Sequence, residues 1–138
     1  MYLVYTPAEG DVQRYQFDPN SMPNFDAEAI ERVTGWTLGE WGEKIQKGSV
    51  LATRALLWVL QRRTHPTLKF ANVEFTTDQV SSEAEPAELI AARDAALEDD
   101  ELTEDKRRIR LDAIYAEMDK AGIARDTTAP KAPAKNSA

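Results

Sequence analysis

The most continuous apolar pattern in the chain runs from residue 48 to residue 63. Apolar residues recur there in two adjacent rows at helical spacing: Leu51, Ala55 and Val59, then Ala52, Leu56 and Leu60. The resulting stripe covers about half of the circumference, against roughly 100° for an ordinary surface helix, so the pattern predicts a helix packed on most of its surface. Ser49 is its predicted N-cap, and Pro66 forbids its continuation.

The segments before this helix predict material that packs against it. Tyr2–Tyr5 and Val12–Phe17 are β-prone runs separated by turn residues, which favours a β-hairpin. Two strands alone are marginal in water, so one face of the hairpin must lie on helices. The residues predicted for the core are Trp41, Leu51, Leu56, Trp58, Val59 and Leu60.

Two further helices are predicted between the hairpin and the central helix. The first starts at about Phe25, with Asn24 or Asp26 as N-cap, and ends at Gly35. The second starts at Thr37-Leu38-Gly39-Glu40, the pattern of a capping box, and buries Leu38, Trp41 and Ile45 along one edge. After the central helix, residues 67–75 alternate weakly and are predicted to form a short extended segment that closes the core.

Two more helices are predicted beyond residue 80. Pro86 favours a helix start, Thr103 caps a second helix, and Gly122 follows its end. The second helix carries two neighbouring apolar stripes, one of Leu102, Ile109, Ala113 and Ala116, the other of Leu111, Ile114, Tyr115 and Met118. Residues 126–138, rich in alanine, proline and lysine, are expected to be a disordered tail.

Charge and aromatic content divide the chain near residue 80. All three tryptophans and four phenylalanines precede that point, whereas residues 80–126 hold 14 acidic and 7 basic residues. We therefore predict a globular domain over 1–80, an acidic helical hairpin over 81–125 and the tail over 126–138. The expected fold class is α+β and predominantly helical: an N-terminal β-hairpin packed on a three-helix core, two acidic helices, and the tail.

The sequence offers little for catalysis, metal binding or cofactor binding. It has no cysteine, and His65 is its single histidine. No phosphate-binding glycine loop or hydrolase motif is present. We therefore expect a protein that is not an enzyme and that has no metal or cofactor. The N-terminus lacks a signal-peptide pattern, and the longest apolar run is far shorter than a membrane span, so no membrane association is expected.

A net charge of −7 argues against general nucleic-acid binding. Arg54, Arg62 and Arg63 near Trp58 could form a basic and aromatic patch for nucleic acid. The stronger interpretation is a core tryptophan with a solvated arginine rim, because long basic side chains cover apolar surface while their charges stay in water.

The C-terminal helices leave two interpretations open. Their narrow, alanine-rich apolar rows would either close a hairpin on the core or dock on a helix of a partner protein. The residues predicted for partner binding are Leu89, Leu97, Ile109, Ile114 and Met118. The sequence does not separate the two.

Residues 17–75 resemble the tail assembly chaperones of siphophages that infect actinobacteria. The resemblance rests on the FDP…P loop before AEAIERVTGWT, the following GEW, the RALLWVL helix, and the exit R-HPTLKF…VEF. These features cover less than half of the chain, and the segment from Ser81 carries little of the resemblance. Their order and spacing are more specific than any one of them.

The resemblance implies a late, non-enzymatic protein of the host cytoplasm that is absent from the mature virion. It would bind the tape measure protein, keep it soluble and promote assembly of the tail tube. The major tail tube protein and a second copy of the chain are further candidate partners. The family also commonly makes a longer product by ribosomal frameshifting. The alternative function is a structural minor tail or head–tail connector protein, which would be found in purified particles.

Overall fold

The computed structural model describes residues 1–128, which form a mixed α and β fold with five α-helices and one three-stranded antiparallel sheet. The elements in chain order are β1 (Tyr2–Tyr5), β2 (Gln13–Gln16), α1 (Asn24–Thr34), α2 (Leu38–Gln46), α3 (Val50–Gln61), β3 (Val80–Glu83), α4 (Pro86–Glu98) and α5 (Glu104–Lys120). The chain divides into two compact units, an N-terminal unit of residues 1–83 and a C-terminal unit from residue 84. Of the tail expected over 126–138, all but the first three residues lie outside the described part.

The sheet has the strand order β2-β1-β3, with β1 antiparallel to both neighbours. The third strand was not predicted, because its sequence, Val-Ser-Ser-Glu, has no apolar alternation. It pairs with β1 from Tyr2 opposite Glu83 to Tyr5 opposite Val80. The N-terminal unit therefore extends to Glu83, three residues beyond the predicted boundary at residue 80.

The segment 67–75 closes the core as predicted, but it is only partly extended, with extended backbone at Lys69 and Val73. This stretch forms a loop with one 3-10 turn, Phe70–Asn72, and α3 holds it through side chains. Trp58 Nε1 donates to the carbonyl of Leu68 at 2.9 Å, and Arg54 Nε donates to that of Val73 at 2.9 Å. Because these side chains satisfy the loop carbonyls, the segment closes the core without joining a sheet.

Helix α3 supplies most of the core. Ser49 caps it by accepting a hydrogen bond from the Ala52 N–H at 3.2 Å. Six consecutive residues from Ala55 to Leu60 are buried, among them Leu56, Trp58, Val59 and Leu60. Leu51 was predicted in the core, but 38% of it is exposed, because it lies in the first turn of α3 and that turn also leaves Val50 exposed.

The two shorter helices differ from prediction at their starts. Helix α1 has Pro23 at its N-cap without a side-chain hydrogen bond, so neither Asn24 nor Asp26 caps it. Thr37 does cap α2 by accepting from the Glu40 N–H at 3.2 Å. In a capping box the Glu40 carboxylate would accept from the Thr37 backbone N–H. Here it accepts a hydrogen bond from the Thr37 hydroxyl.

In the C-terminal unit, α4 packs against α5 around Leu89, Ile90 and Met118. Of the two stripes predicted on α5, the one with Ile114, Tyr115 and Met118 faces this small core, whereas Ile109, Ala113 and Ala116 are exposed. Arg93 is buried and donates to the Arg125 carbonyl at 2.6 Å and to the Asp94 carboxylate. The sequence pattern did not indicate a buried arginine at this position.

Candidate functional site

A groove with a cavity volume of about 710 Å³ lies within the N-terminal unit. Its walls come from the sheet, α2, the start of α3 and the loops around residues 17–20 and 75–77. The large apolar side chains along it are Leu3, Phe17, Trp41, Ile45, Leu56 and Phe75. This groove is the candidate functional site.

Secondary structure places these side chains at the groove. Leu3 lies on the core-facing side of β1, since strand side chains alternate between faces. Trp41 and Ile45 lie one turn apart on α2, and Trp41 is fixed by donating from Nε1 to the Ala52 carbonyl of α3 at 3.0 Å. The groove is therefore built on the same buried contact that joins α2 to α3.

Within residues 1–128, no charged side chain lines the groove, although 30% of the chain consists of charged residues. Its polar side chains are amides and hydroxyls, such as Asn20, Gln46, Thr53 and Thr77. None of these titrates near neutral pH, so the lining provides no side chain for general acid–base chemistry. Its chemistry is that of an apolar binding surface with a few hydrogen-bonding groups.

Gly42 lies on the groove wall and, as a glycine, places no side chain there. It lies inside α2, where glycine costs about 0.5–1 kcal/mol relative to alanine. A Cβ built at Gly42 would meet no heavy atom within 4 Å, so the packing of the unit does not require glycine there. Gly48, which also lines the groove, has φ 80° and is needed for the turn into α3. Gly42 thus keeps the groove wide at the expense of helix stability.

Apolar groups on the groove rim are open to solvent. Val50 lines the groove and is 52% exposed. Strand β3 borders the groove with Val80, Ser81 and Ser82, and both serines are exposed. These features were not predicted, because β3 and its edge were not recognised. A glycine within a capped helix was the one sequence signal that could have directed attention to Gly42.

The five residues predicted for partner binding are divided by the structure. Leu89 and Met118 are buried in the core of the C-terminal unit, and Ile114 packs against them. Leu97 and Ile109 are 51% and 68% exposed. These last two are the most exposed of the five, Ile114 is partly buried, and partner binding through any of them stays a prediction.

The arginines near Trp58 make internal contacts. Arg54 donates to carbonyls of the 70–73 loop, and Arg63 Nη1 donates to the Gln16 carbonyl at 2.8 Å. The Arg62 guanidinium lies 4.3 Å from the centre of the Trp58 ring. His65, the single histidine, is exposed beyond the end of α3. Trp58 is a core residue, as predicted. The rim is less solvated than predicted, because the Arg62 side chain is only 15% exposed and lies 3.6 Å from the Asp26 carboxylate.

One phenol and one carboxylate, both outside the groove lining, have shifted pKa values. Burial raises the pKa of Tyr15, against the opposing effect of a hydrogen bond with Gln61. The hydrogen bond from Arg125 lowers the pKa of Asp119 on the surface of the C-terminal unit. Both shifts report local structure in contacts that do not involve the groove.

Residues 1–128 contain no cluster of three or more histidine and carboxylate side chains that could hold a metal ion. No helix in that same part of the chain is long and apolar enough to cross a membrane. Comparison of the chain with protein-family models, curated proteins and solved structures gives no match.

Proposed function

We propose that this protein is a non-enzymatic tail assembly chaperone of a tailed bacteriophage, which binds the tape measure protein and keeps it soluble. The observation that supports the proposal is the uncharged apolar groove of the N-terminal unit. A long polypeptide that awaits assembly exposes apolar side chains, and such side chains gain free energy by leaving water. The groove provides a surface that accepts them.

The groove also coincides with the segment that resembles the family. Phe17 and Phe75, the first and last residues of that segment, both line it, as do Leu38, Trp41 and Leu56 between them. A binding role for the groove would give these residues of the resembling segment a shared function. We therefore propose the groove, and not the C-terminal helices, as the main client surface.

The acidic C-terminal helices would then act mainly on solubility. Residues 80–126 carry 14 acidic against 7 basic residues, and most side chains on the outer faces of α4 and α5 are exposed. Added acidic charge opposes association between complexes, because like net charges repel. Exposed Leu97 and Ile109 give a second, smaller apolar contact for the same client.

Co-expression with the tape measure protein encoded by the same phage tests the proposal. The tape measure protein should be soluble only when this protein is present, and the two should co-elute in pull-down and size-exclusion experiments. Failure to bind or solubilise it, together with recovery of this protein in purified virions, would favour the structural minor tail or head–tail connector function.

A further inference from the structure

Within the part of the chain that the structure describes, the edge of β3 presents unpaired backbone groups beside the groove. The Thr6 N–H donates to the Gln79 carbonyl at 2.8 Å, which fixes the phase of the β1–β3 ladder. Because antiparallel strands alternate between bonded and non-bonded residues, Ser81 and Glu83 direct their backbone groups toward β1. The N–H and C=O groups of Val80 and Ser82 therefore point outward, away from the sheet.

Val80 and Ser82 also belong to the groove lining. In the register of the sheet, Val80 is opposite Tyr5 and Ser82 is opposite Leu3, and Leu3, Tyr5 and Val80 all pack on the core side. The same two residues thus turn their side chains toward the groove and their free backbone groups toward the open edge. A chain laid along this edge would direct alternate side chains into the groove.

The outward backbone groups of Val80 and Ser82 favour an extended segment over a helix as the occupant of the groove. Any apolar segment that fills the groove up to the rim covers the outward N–H and C=O groups of Val80 and Ser82. A helix has already paired its own backbone and leaves these groups without partners, which is unfavourable once water is excluded. An extended segment pairs with them. The occupant that satisfies both the apolar groove and the polar edge is therefore a β-strand.

We infer that the client enters as an extended segment that adds a fourth strand to the sheet along β3, with alternate apolar side chains in the groove. This inference rests on the proposed function for the identity of the client, and it specifies the conformation that is recognised. Main-chain hydrogen bonds along the edge would provide affinity for many sequences, and the groove would select those that alternate apolar and polar residues. Gly42, on the facing helix, leaves space for the inserted side chains.

A proline at position 82 removes the outward N–H while leaving the bonded residues Ser81 and Glu83 in the ladder with β1, and proline is tolerated at strand edges. Ser82→Pro should weaken binding by about tenfold relative to Ser82→Ala, which keeps the N–H. Arg14→Pro compared with Arg14→Ala is the matched control. Both variants lose the ion pair with Glu83, and only the proline removes the Arg14 N–H, which points outward at the other edge of the sheet. Equal affinities for the proline and alanine variants at position 82 would overturn the inference.

Amide hydrogen exchange of the intact protein gives a second measurement that does not depend on a variant that folds. The probes are overlapping 15-residue peptides covering the tape measure protein, and a synthetic peptide of alternating valine and lysine. Binding should slow exchange at the Val80 and Ser82 amides.

The outcomes separate the two proposals. One outcome is that a tape measure peptide slows exchange at the Ile45 and Val50 amides and leaves the Val80 and Ser82 amides exchanging freely. Strand addition would then be wrong, and the chaperone function would stand. If only the alternating peptide binds and protects both amides, strand addition stands and the identity of the client is wrong. If neither class of peptide slows exchange at the Val80 and Ser82 amides, the strand inference is overturned.

Discussion

Substitution of Gly42 separates binding from stability at one position. Gly42→Leu places an isobutyl group on the groove wall, where a Cβ meets no heavy atom within 4 Å. Its backbone φ is not positive, so a side chain can be added without strain. The variant should fold at least as well as the parent protein and should bind the client less tightly.

Both effects can be given a magnitude. Replacing an internal helical glycine by a good helix former gains about 0.5–1 kcal/mol, which raises Tm by roughly 2–8 °C for a unit of this size. A leucine that occupies the position of one client side chain removes the burial of that side chain, about 1.5–3 kcal/mol. Affinity for the client should therefore fall by about 10- to 100-fold.

Calorimetry of the variant and titration with the tape measure protein provide the two measurements. Gly42→Ala should raise Tm similarly but weaken binding less, since one methyl group fills little of the groove. Ala91→Leu is the matched control, because it adds a leucine side chain at an exposed position of α4, outside the groove. A Gly42→Leu variant that binds as tightly as the parent protein would show that the client does not use the groove.

Three further substitutions test the structure of the N-terminal unit. Trp58→Ala should cost about 3–5 kcal/mol in urea unfolding, because it removes a buried aromatic and its hydrogen bond to the Leu68 carbonyl; an unchanged midpoint would mean that α3 is oriented differently. Arg54→Met keeps the apolar stem but loses the bonds to the 70–73 loop, so it should cost about 1.5–3 kcal/mol and speed amide exchange there; unchanged exchange would show that the loop is held by other contacts. Tyr15 has a raised pKa in the folded state, so its contribution is present below its unfolded pKa of about 10 and is lost as pH rises through the folded value. Tyr15→Phe should reduce this alkaline loss in stability measured from pH 8 to 11, and an identical loss in both proteins would refute the assignment.

The central helix and several helix ends could be predicted because their signals are local. The width of the apolar stripe at 51–60 requires burial on most sides, and Ser49 and Gly35 act through residues within one turn. Leu51 was placed wrongly because periodicity gives the face of a helix but not the point along its axis where its neighbours end. The exposure of that first turn depends on tertiary structure.

The sheet edge and the groove could not be predicted from the sequence pattern. Val-Ser-Ser-Glu becomes a strand because Tyr2–Tyr5 pairs with it across more than 70 residues of sequence, and such pairing leaves no local signature in polar residues. In residues 67–75 the weak apolar alternation comes from contacts with the core, and the backbone does not pair with a strand. Alternation alone therefore did not distinguish this loop from a strand. Burial of Arg93 is tolerated because the Arg125 carbonyl and the Asp94 carboxylate accept its hydrogen bonds. Asp94 is the next residue, but Arg125 lies 32 residues further along the chain, so spacing along α4 could not reveal it.

Site-specific photo-cross-linking during co-expression with the tape measure protein would show which surface of this protein contacts the client. A benzophenone side chain would replace Val50 on the groove rim or, in separate variants, Ile109 on α5 and Phe25 at the start of α1, all of which are more than half exposed. If the client binds in the groove, position 50 should give a strong cross-link, position 109 at most a weaker one, and position 25 none above background. Cross-links from position 109 without any from position 50 would contradict binding in the groove and would place the client on the C-terminal helices.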